Sequence, residues 1–333
     1  MRIGVVGAGV MGRNHARVVH QSRNTLIGIV DPVLEGAREV ARLHGTEAYG
    51  SLEELLDGPV APEAVIVATP TETHGDLVLR ALDAGLHVLV EKPIATDIPT
   101  ARRMVDAAKD ARRTLAVGHI ERHNPVVAFA KKALAEGRFG KPITLSTRRV
   151  SNLPGRIRDV GCVLDIGIHD IDVLDHLAGG PPKRVFSVGG NHAAKGGLED
   201  HANLLLDYGH VKGAVEVNWL TPRKVRKLAL TCDEAFVECD YIEQVAEVSR
   251  TTFGALDPGD LYQVPVQTHL ERIELIKEEP LRRELDDFVD ACASGRPALA
   301  DGEVGLQALA VAFAALRSLS SGRPEEPELL EVA

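Results

Sequence analysis

Apolar residues follow two different rhythms along this chain, and the change falls near residue 120. Up to that point short unbroken β-branched runs (RIGVV from residue 2, LIGIVD from 26, AVIVAT from 64, HVLVEKP from 87, TLAVGH from 114) alternate with amphipathic stretches. Those stretches repeat apolar positions every three to four residues over about 10–20, 33–43, 74–85 and 97–111. Unbroken runs suit strands buried on both faces, and the amphipathic stretches suit helices that cover them. The expectation is an α/β domain with a doubly wound parallel sheet. After GHIERHNP a helix is expected over about 125–136, then a turn at FGKP. ITLSTRRV, RVFSVGG, ANLLLDYG, VKGAVEVNW, RKLALTC and AFVECD next alternate apolar with polar residues, as antiparallel strands with one packed face do. Two helices, LRRELDDFVDACASG and GLQALAVAFAALRSLSSG, close the pattern. The chain therefore reads as a doubly wound α/β domain over 1–119 and an α+β domain over 120–333 whose antiparallel sheet has one packed face.

Composition narrows the partners. With 333 residues, 44% hydrophobic and 26% charged, each part can bury a core of its own. A formal net charge of −10 speaks against nucleic acid, which demands a concentrated basic surface. No run of ~18 apolar residues is evident that would span a bilayer. The first residues run directly into a strand and a glycine turn, unlike a signal peptide. Four cysteines without a CxxC pair give no zinc-site spacing, so reduced thiols in a cytoplasmic protein are the expectation.

The first chemistry-bearing motif is RIGVVGAGVMGRNHARVV. Gly7, Gly9 and Gly12 stand in GxGxxG spacing after a strand and at the opening of a helix, with Val10 and Met11 between the last two. One glycine allows the tight turn, one allows the backbone to approach a pyrophosphate, and one allows helix and strand to pack closely. Asp31, 19 residues after Gly12, ends the second strand. A carboxylate there accepts from ribose hydroxyls and repels a 2′-phosphate, which favours NAD over NADP; it also reads as a plain turn residue before Pro32. Ligands of such sheets sit beyond the carboxyl ends of the strands. Thr69, Pro70 and His74 in ATPTETH, and Glu91 and Lys92 in VEKP, are expected on the cofactor side. Lys92 equally fits a surface lysine at a strand end.

The second motif is GCVLDIGIHDIDVLDHLAGG, from residue 161. At about 100° per residue Asp165, His169, Asp172 and His176 share an arc of roughly 60° on an otherwise largely apolar helix. Such a stripe fits a metal site, an acid–base site or a polar edge. Four ligands from one straight helix cannot surround an ion, so a metal would need a second segment such as His119, Glu121 and His123 of HIERH; no metal is expected.

Together GAGVMG, ATPTETH, EKP, GHIERHNP and DIGIHDID resemble the family of glucose–fructose oxidoreductase and inositol 2-dehydrogenase, over nearly the whole chain. The resemblance implies a Rossmann domain followed by a domain with a large, open-faced, mostly antiparallel sheet, in an NAD-dependent dehydrogenase of sugars, nucleotide sugars or inositols that assembles as a homodimer or homotetramer through that sheet. It implies that Lys92 hydrogen-bonds the reacting hydroxyl, that Asp165 lies beside the substrate and that His169 takes the proton. An imidazole titrating near ~6.5 suits that task at neutral pH, and an ammonium stabilises a developing alkoxide. Asp172 and His176 read as supporting polar contacts.

RRVSNLPGRIRDVG places Arg148, Arg149, Arg156 and Arg158 near the stripe, and guanidinium groups bind phosphate oxygens bidentately. They fit either a nucleotide-sugar diphosphate or a solvated loop. GHIERHNP and RIRDVGCVLDIGIHDID are similar to segments of the family's UDP-N-acetylglucosamine 3-dehydrogenases, which more often carry Phe at the place of His123. That likeness implies oxidation of a C3 hydroxyl to a ketone, with Arg122 and Asn124 reaching the sugar or the nicotinamide. An inositol or free-sugar dehydrogenase and a dinucleotide-binding regulator without turnover are the alternatives.

Overall fold

The computed structural model describes residues 1–153, 160–254 and 266–328. Its first part runs β1 (Arg2–Val6), α1 (Val10–His20), β2 (Thr25–Val30), α2 (Leu34–His44), β3 (Glu47–Tyr49), α3 (Leu52–Leu56), β4 (Ala64–Val67), α4 (His74–Asp83), β5 (His87–Val90), α5 (Ile98–Ala111) and β6 (Leu115–Val117). The strands form one parallel sheet in the order β3-β2-β1-β4-β5-β6. This is the doubly wound order expected from the unbroken apolar runs, and AVIV of β4 is buried at every position. β3 and α3, too short to show a period, do not stand out in the sequence. Strand order reverses at β1 and β4, which opens a crevice at their carboxyl ends.

The second part holds α6 (Pro125–Ala135), β7 (Pro142–Asn152), α7 (Ile168–Ala178), β8 (Arg184–Gly190), β9 (His201–Asp207), β10 (Lys212–Asn218), β11 (Leu220–Cys232), β12 (Phe236–Asp240), β13 (Val245–Phe253) and β14 (Val266–Glu274). Among the described residues eight strands pair in the order β14-β13-β12-β11-β7-β10-β9-β8, antiparallel except for β10 beside β7. Alternation decides the two faces. Leu204, Leu206, Val215, Val217, Leu228 and Leu230 are buried, while Leu205 and Phe236 on the opposite face stand 57% and 42% exposed. The antiparallel pair β13 and β14 escapes the pattern because polar residues interrupt both strands and β14 is exposed along nearly its whole length.

The last two helices are α8 (Pro280–Ser294) and α9 (Gly302–Ser321). Compact units are discontinuous in the chain: residues 1–123 group with 279–310, and 124–278 with 311–333, where sequence alone draws one cut near residue 119. α8 buries Leu281, Leu285, Phe288 and Ala291 in the same core as Ile3, Ile29 and Ile66 of the parallel sheet. Each fully buried large side chain contributes about 1.5–3 kcal/mol, enough to hold the helix there. The segment after α8 also covers the edge of β6, with Val117 N donating to Ala300 O at 2.8 Å. Contrary to the expectation from sequence, α9 is long and apolar enough to cross a bilayer by length and composition, although 56% of its apolar window is buried inside the protein.

Candidate active site

The glycine loop separates its three glycines by physical need. A β-carbon on Gly12 would collide with the carbonyl oxygen of Gly7. Gly7, at φ 105°, occupies backbone space closed to other residues, against the Ala68 carbonyl. Gly9 is different. Its backbone is extended (φ −71°, ψ −169°) and a β-carbon there would meet no atom within 4 Å. Neither strain nor packing inside the protein calls for glycine at that position, which fits a bound pyrophosphate approaching the backbone at the start of α1. The first turn of α1 carries no acidic residue, which suits an anion at its N–H groups. Val10 is 56% exposed at the same edge. Asp31 braces the loop: its Oδ2 accepts from Ala8 N at 2.8 Å and its Oδ1 from Val33 N at 2.8 Å.

The expected cofactor-side residues after β4 and β5 are tied together by His74. Its Nδ1 lies 3.0 Å from the Pro93 carbonyl and its Nε2 3.0 Å from the Thr69 carbonyl, with the ring 1% exposed. Burial lowers its pKa, and a neutral ring donates to one of these carbonyls at a time. His74 is thus a strut between the two loops, while Thr69 Oγ1 accepts from Thr73 Oγ1 at 2.7 Å beside Pro70. Lys92 precedes Pro93 through a cis peptide bond. Glu91 Oε1 meets His15 Nε2 of α1 at 2.9 Å, and its Oε2 accepts from Lys92 N at 3.3 Å. Burial pushes the Glu91 carboxyl up, but the bond to His15, the His15 charge and Lys92 outweigh it and leave the group below its ordinary value.

Sequence reasoning missed His15 and Glu284, since both meet Glu91 only through the fold. Glu284 of α8 is 3% exposed, and neither carboxyl oxygen has a hydrogen-bond partner among the described residues. Burial, with Glu91 and Asp287 adding like charge, raises its pKa well above the ordinary value. The folded state therefore holds a proton that the unfolded chain releases above about pH 4.3, and stability falls as pH rises from there towards the folded pKa. Glu284→Gln is expected to raise Tm at pH 8, with a gain that shrinks to nothing near pH 4.5, at about 2–4 °C per kcal/mol. A Tm difference from wild type that does not change with pH in thermal scans would contradict this.

In the second unit, the stretch read as one α-helix begins as a π-helical turn, Val163–Gly167, before α7. Each residue of a π turn rotates less than 100°, so the arc expected for Asp165, His169, Asp172 and His176 is not that of a straight α-helix. Such turns often occur at functional sites. The start of the turn is pinned by Glu199: its Oε1 accepts from Val163 N at 3.1 Å, and its backbone carbonyl from Cys162 N at 2.9 Å. Asp165, His169 and His176 are half-buried and Asp172 is buried. Two acids of α7 that the stripe passes over are also buried. Asp170 takes a bidentate pair from Arg149 at 2.9 and 3.1 Å, and Asp175 accepts from Tyr208 at 2.6 Å.

That pair corrects the arginine reading. The Arg149 side chain is 3% exposed, committed to Asp170, with Tyr241 5.4 Å beneath its guanidinium, so it is no phosphate ligand. Removing either partner would leave a buried charge at a cost of about 3–5 kcal/mol. Arg148, on the exposed face, pairs with Glu216 at 3.0 Å. Arg156 and Arg158 lie outside the described residues. Arg122 is buried and donates to the Leu299 carbonyl at 3.1 Å. Asn124 caps α6, accepting from Val126 N at 3.3 Å and donating to the Tyr241 carbonyl at 3.2 Å.

Residues 1–119 match the model of an oxidoreductase family with an NAD-binding Rossmann fold, and residues 127–238 match the GFO/IDH/MocA C-terminal domain. The chain belongs to the GFO/IDH/MocA family. Among its relatives is the UDP-N-acetylglucosamine 3-dehydrogenase of Acidithiobacillus ferrooxidans, 30% identical over 317 residues that cover 94% of this chain and 95% of that one. The inositol 2-dehydrogenase of Rhizobium meliloti is 28% identical over 333 residues, 97% of this chain and 98% of the other. A solved structure of the Acidithiobacillus enzyme superposes with a TM-score of 0.85 at 28% identity, covering 96% of this chain and 98% of its own. As a GFO/IDH/MocA member the chain is an NAD-dependent dehydrogenase of the sugar and inositol class.

Proposed function

We propose that this dehydrogenase oxidises the C3 hydroxyl of UDP-N-acetylglucosamine to the ketone. The observation that carries the substrate is the likeness to the Acidithiobacillus enzyme over nearly the full length of both chains. In this reading the backbone of Gly7, Gly9, Val10, Met11 and Gly12 holds the pyrophosphate of NAD, Asp31 its adenosine ribose, and Thr69 and Pro70 flank the nicotinamide end. Bound NAD supplies a hydride acceptor. His169 takes the proton from the reacting hydroxyl oxygen as a general base. Asp165, one helical turn earlier, orients that ring or binds a neighbouring hydroxyl. The Lys92 ammonium, fixed by the short EKP segment, stabilises negative charge developing on the same oxygen. Arg156 and Arg158 are the remaining candidates for the diphosphate, because Arg148 and Arg149 have carboxylate partners. The reading includes a homo-oligomer through the open face of the second sheet, supported by the exposed Val188, Leu205 and Phe236; a monomeric mass by light scattering would contradict that part.

The test is a panel of alcohols with NAD, followed by NADH absorbance. UDP-N-acetylglucosamine is expected to exceed myo-inositol and free N-acetylglucosamine in kcat/KM by about a hundredfold or more, through contacts to the uridine diphosphate. Turnover of myo-inositol alone would move the chain to the inositol branch, and NAD binding without reduction by any alcohol would make it a regulator.

A further inference from the structure

A cleft of about 560 Å³ opens at the amino ends of β5 and β6, between the last turn of α5 and the segment joining α8 to α9. It lies at the end of the parallel sheet opposite the glycine loop, which follows the carboxyl end of β1, and NAD binding leaves it unused. Its volume falls in the range of small-ligand sites. The floor is apolar: Val105, Ala108, Leu115 and Ala298 are all buried. The rim is cationic, with Lys109, Arg112, Arg113 and Arg296 against the carboxylates of Asp301 and Glu303, in a chain whose net charge is −10.

These cations are not equally committed. Lys109 pairs with Glu303 at 2.6 Å, and Arg296 with Asp287 at 2.7 Å. Arg113 gives its Nε to the Gly85 carbonyl at 2.5 Å and forms no ion pair among the described residues. Arg112 has no carboxylate partner among them either. The backbone at Arg112 adds an independent observation. It ends α5 in the left-handed region, at φ 52° and ψ 46°. α2, α7 and α8 end in the same conformation, each with glycine there, at Gly45, Gly179 and Gly295. Glycine adopts this conformation without strain, and a residue with a β-carbon does not. α5 keeps a strained arginine where glycine would cap it better, which is the pattern of a position held for its side chain.

We propose that this cleft binds a small organic phosphate, with the dianion on the guanidinium groups of Arg112 and Arg113 and its organic part on the Val105–Ala108–Leu115 floor. Adjacent guanidinium forks match phosphate oxygens, and the apolar floor distinguishes an organic phosphate from the inorganic ion. The local field already acts within the cleft: burial, then the Arg113 charge, lowers the pKa of His87 at its back.

The experiment uses the full chain saturated with NADH, so that the glycine loop is filled, and phenyl phosphate and inorganic phosphate as probes at constant ionic strength. Calorimetry is expected to show saturable phenyl phosphate binding, tighter than inorganic phosphate. Arg112→Gly should weaken it roughly tenfold or more, the scale of a lost charge-assisted contact. The same variant should unfold at an equal or higher temperature, because glycine relieves the backbone. Arg113→Ala reads the same loss of binding should Arg112→Gly not yield folded protein. No saturable binding up to about 10 mM, a mM-range limit for a real site, would overturn the proposal. So would binding that Arg112→Gly leaves unchanged, or equal affinity for the two probes.

Discussion

Replacing His169 by alanine is expected to lower turnover about a hundredfold or more while the affinity for NAD stays within about twofold of wild type. The expectation follows from the division of labour proposed above. The residues assigned to the pyrophosphate and ribose, the glycine loop and Asp31, belong to the first unit and His169 to the second, so the two roles are separable by mutation. Loss of the group that accepts the hydroxyl proton removes an interaction made during reaction, and kcat and kcat/KM should fall together. Steady-state kinetics beside a fluorescence titration with NADH measure both quantities. An equal loss of NADH binding would assign His169 a structural role, and undiminished turnover would remove it from the mechanism.

Gly12→Ala is expected to be the most damaging single change in the nucleotide loop. The added methyl group would overlap the Gly7 carbonyl, and that atom belongs to backbone already held by Gly7 N donating to Val30 O at 2.7 Å. Either α1 moves away from β1 or the turn opens. Overpacking of this kind costs about 1–3 kcal/mol or more, a fall of several degrees in Tm, and NAD affinity should drop at least tenfold as the N–H groups of α1 lose their aim. Gly9→Ala separates the two effects. A β-carbon there meets nothing within 4 Å in a backbone conformation any residue adopts, so Tm should hold while NAD affinity falls. Calorimetric Tm and NADH titration on both variants check this. A Gly9→Ala protein that binds NADH normally would show that the pyrophosphate does not approach the loop at that point.

Much of the first unit was legible in the chain because its signals are local. Unbroken apolar runs specify strands covered on both faces, and a glycine triplet followed 19 residues later by Asp31 specifies a dinucleotide loop through sterics that span a single turn. Packing followed as expected, with β1 and β4 flanking the switch in strand order. The partner of Arg149 is not legible in the chain, for the opposite reason. Arg148 and Arg149 are neighbours in sequence, but the strand pleat turns one to the exposed face towards Glu216 and the other into the core towards Asp170.

By itself the sequence determined the fold class, the doubly wound sheet and its cofactor, and it singled out Lys92, Asp165 and His169 as candidates. Periodicity and motif spacing act over a few residues and survive in one dimension. Only the tertiary structure decided that α8 packs in the core of the parallel sheet, that His15 meets Glu91 across 76 residues, and that Arg149 is spent on Asp170. It also turned the start of the stripe-bearing helix into a π turn pinned by Glu199. Each of these depends on which partner a polar group finds once water is excluded, and a buried charge or carboxyl selects that partner by proximity in space rather than by distance along the chain.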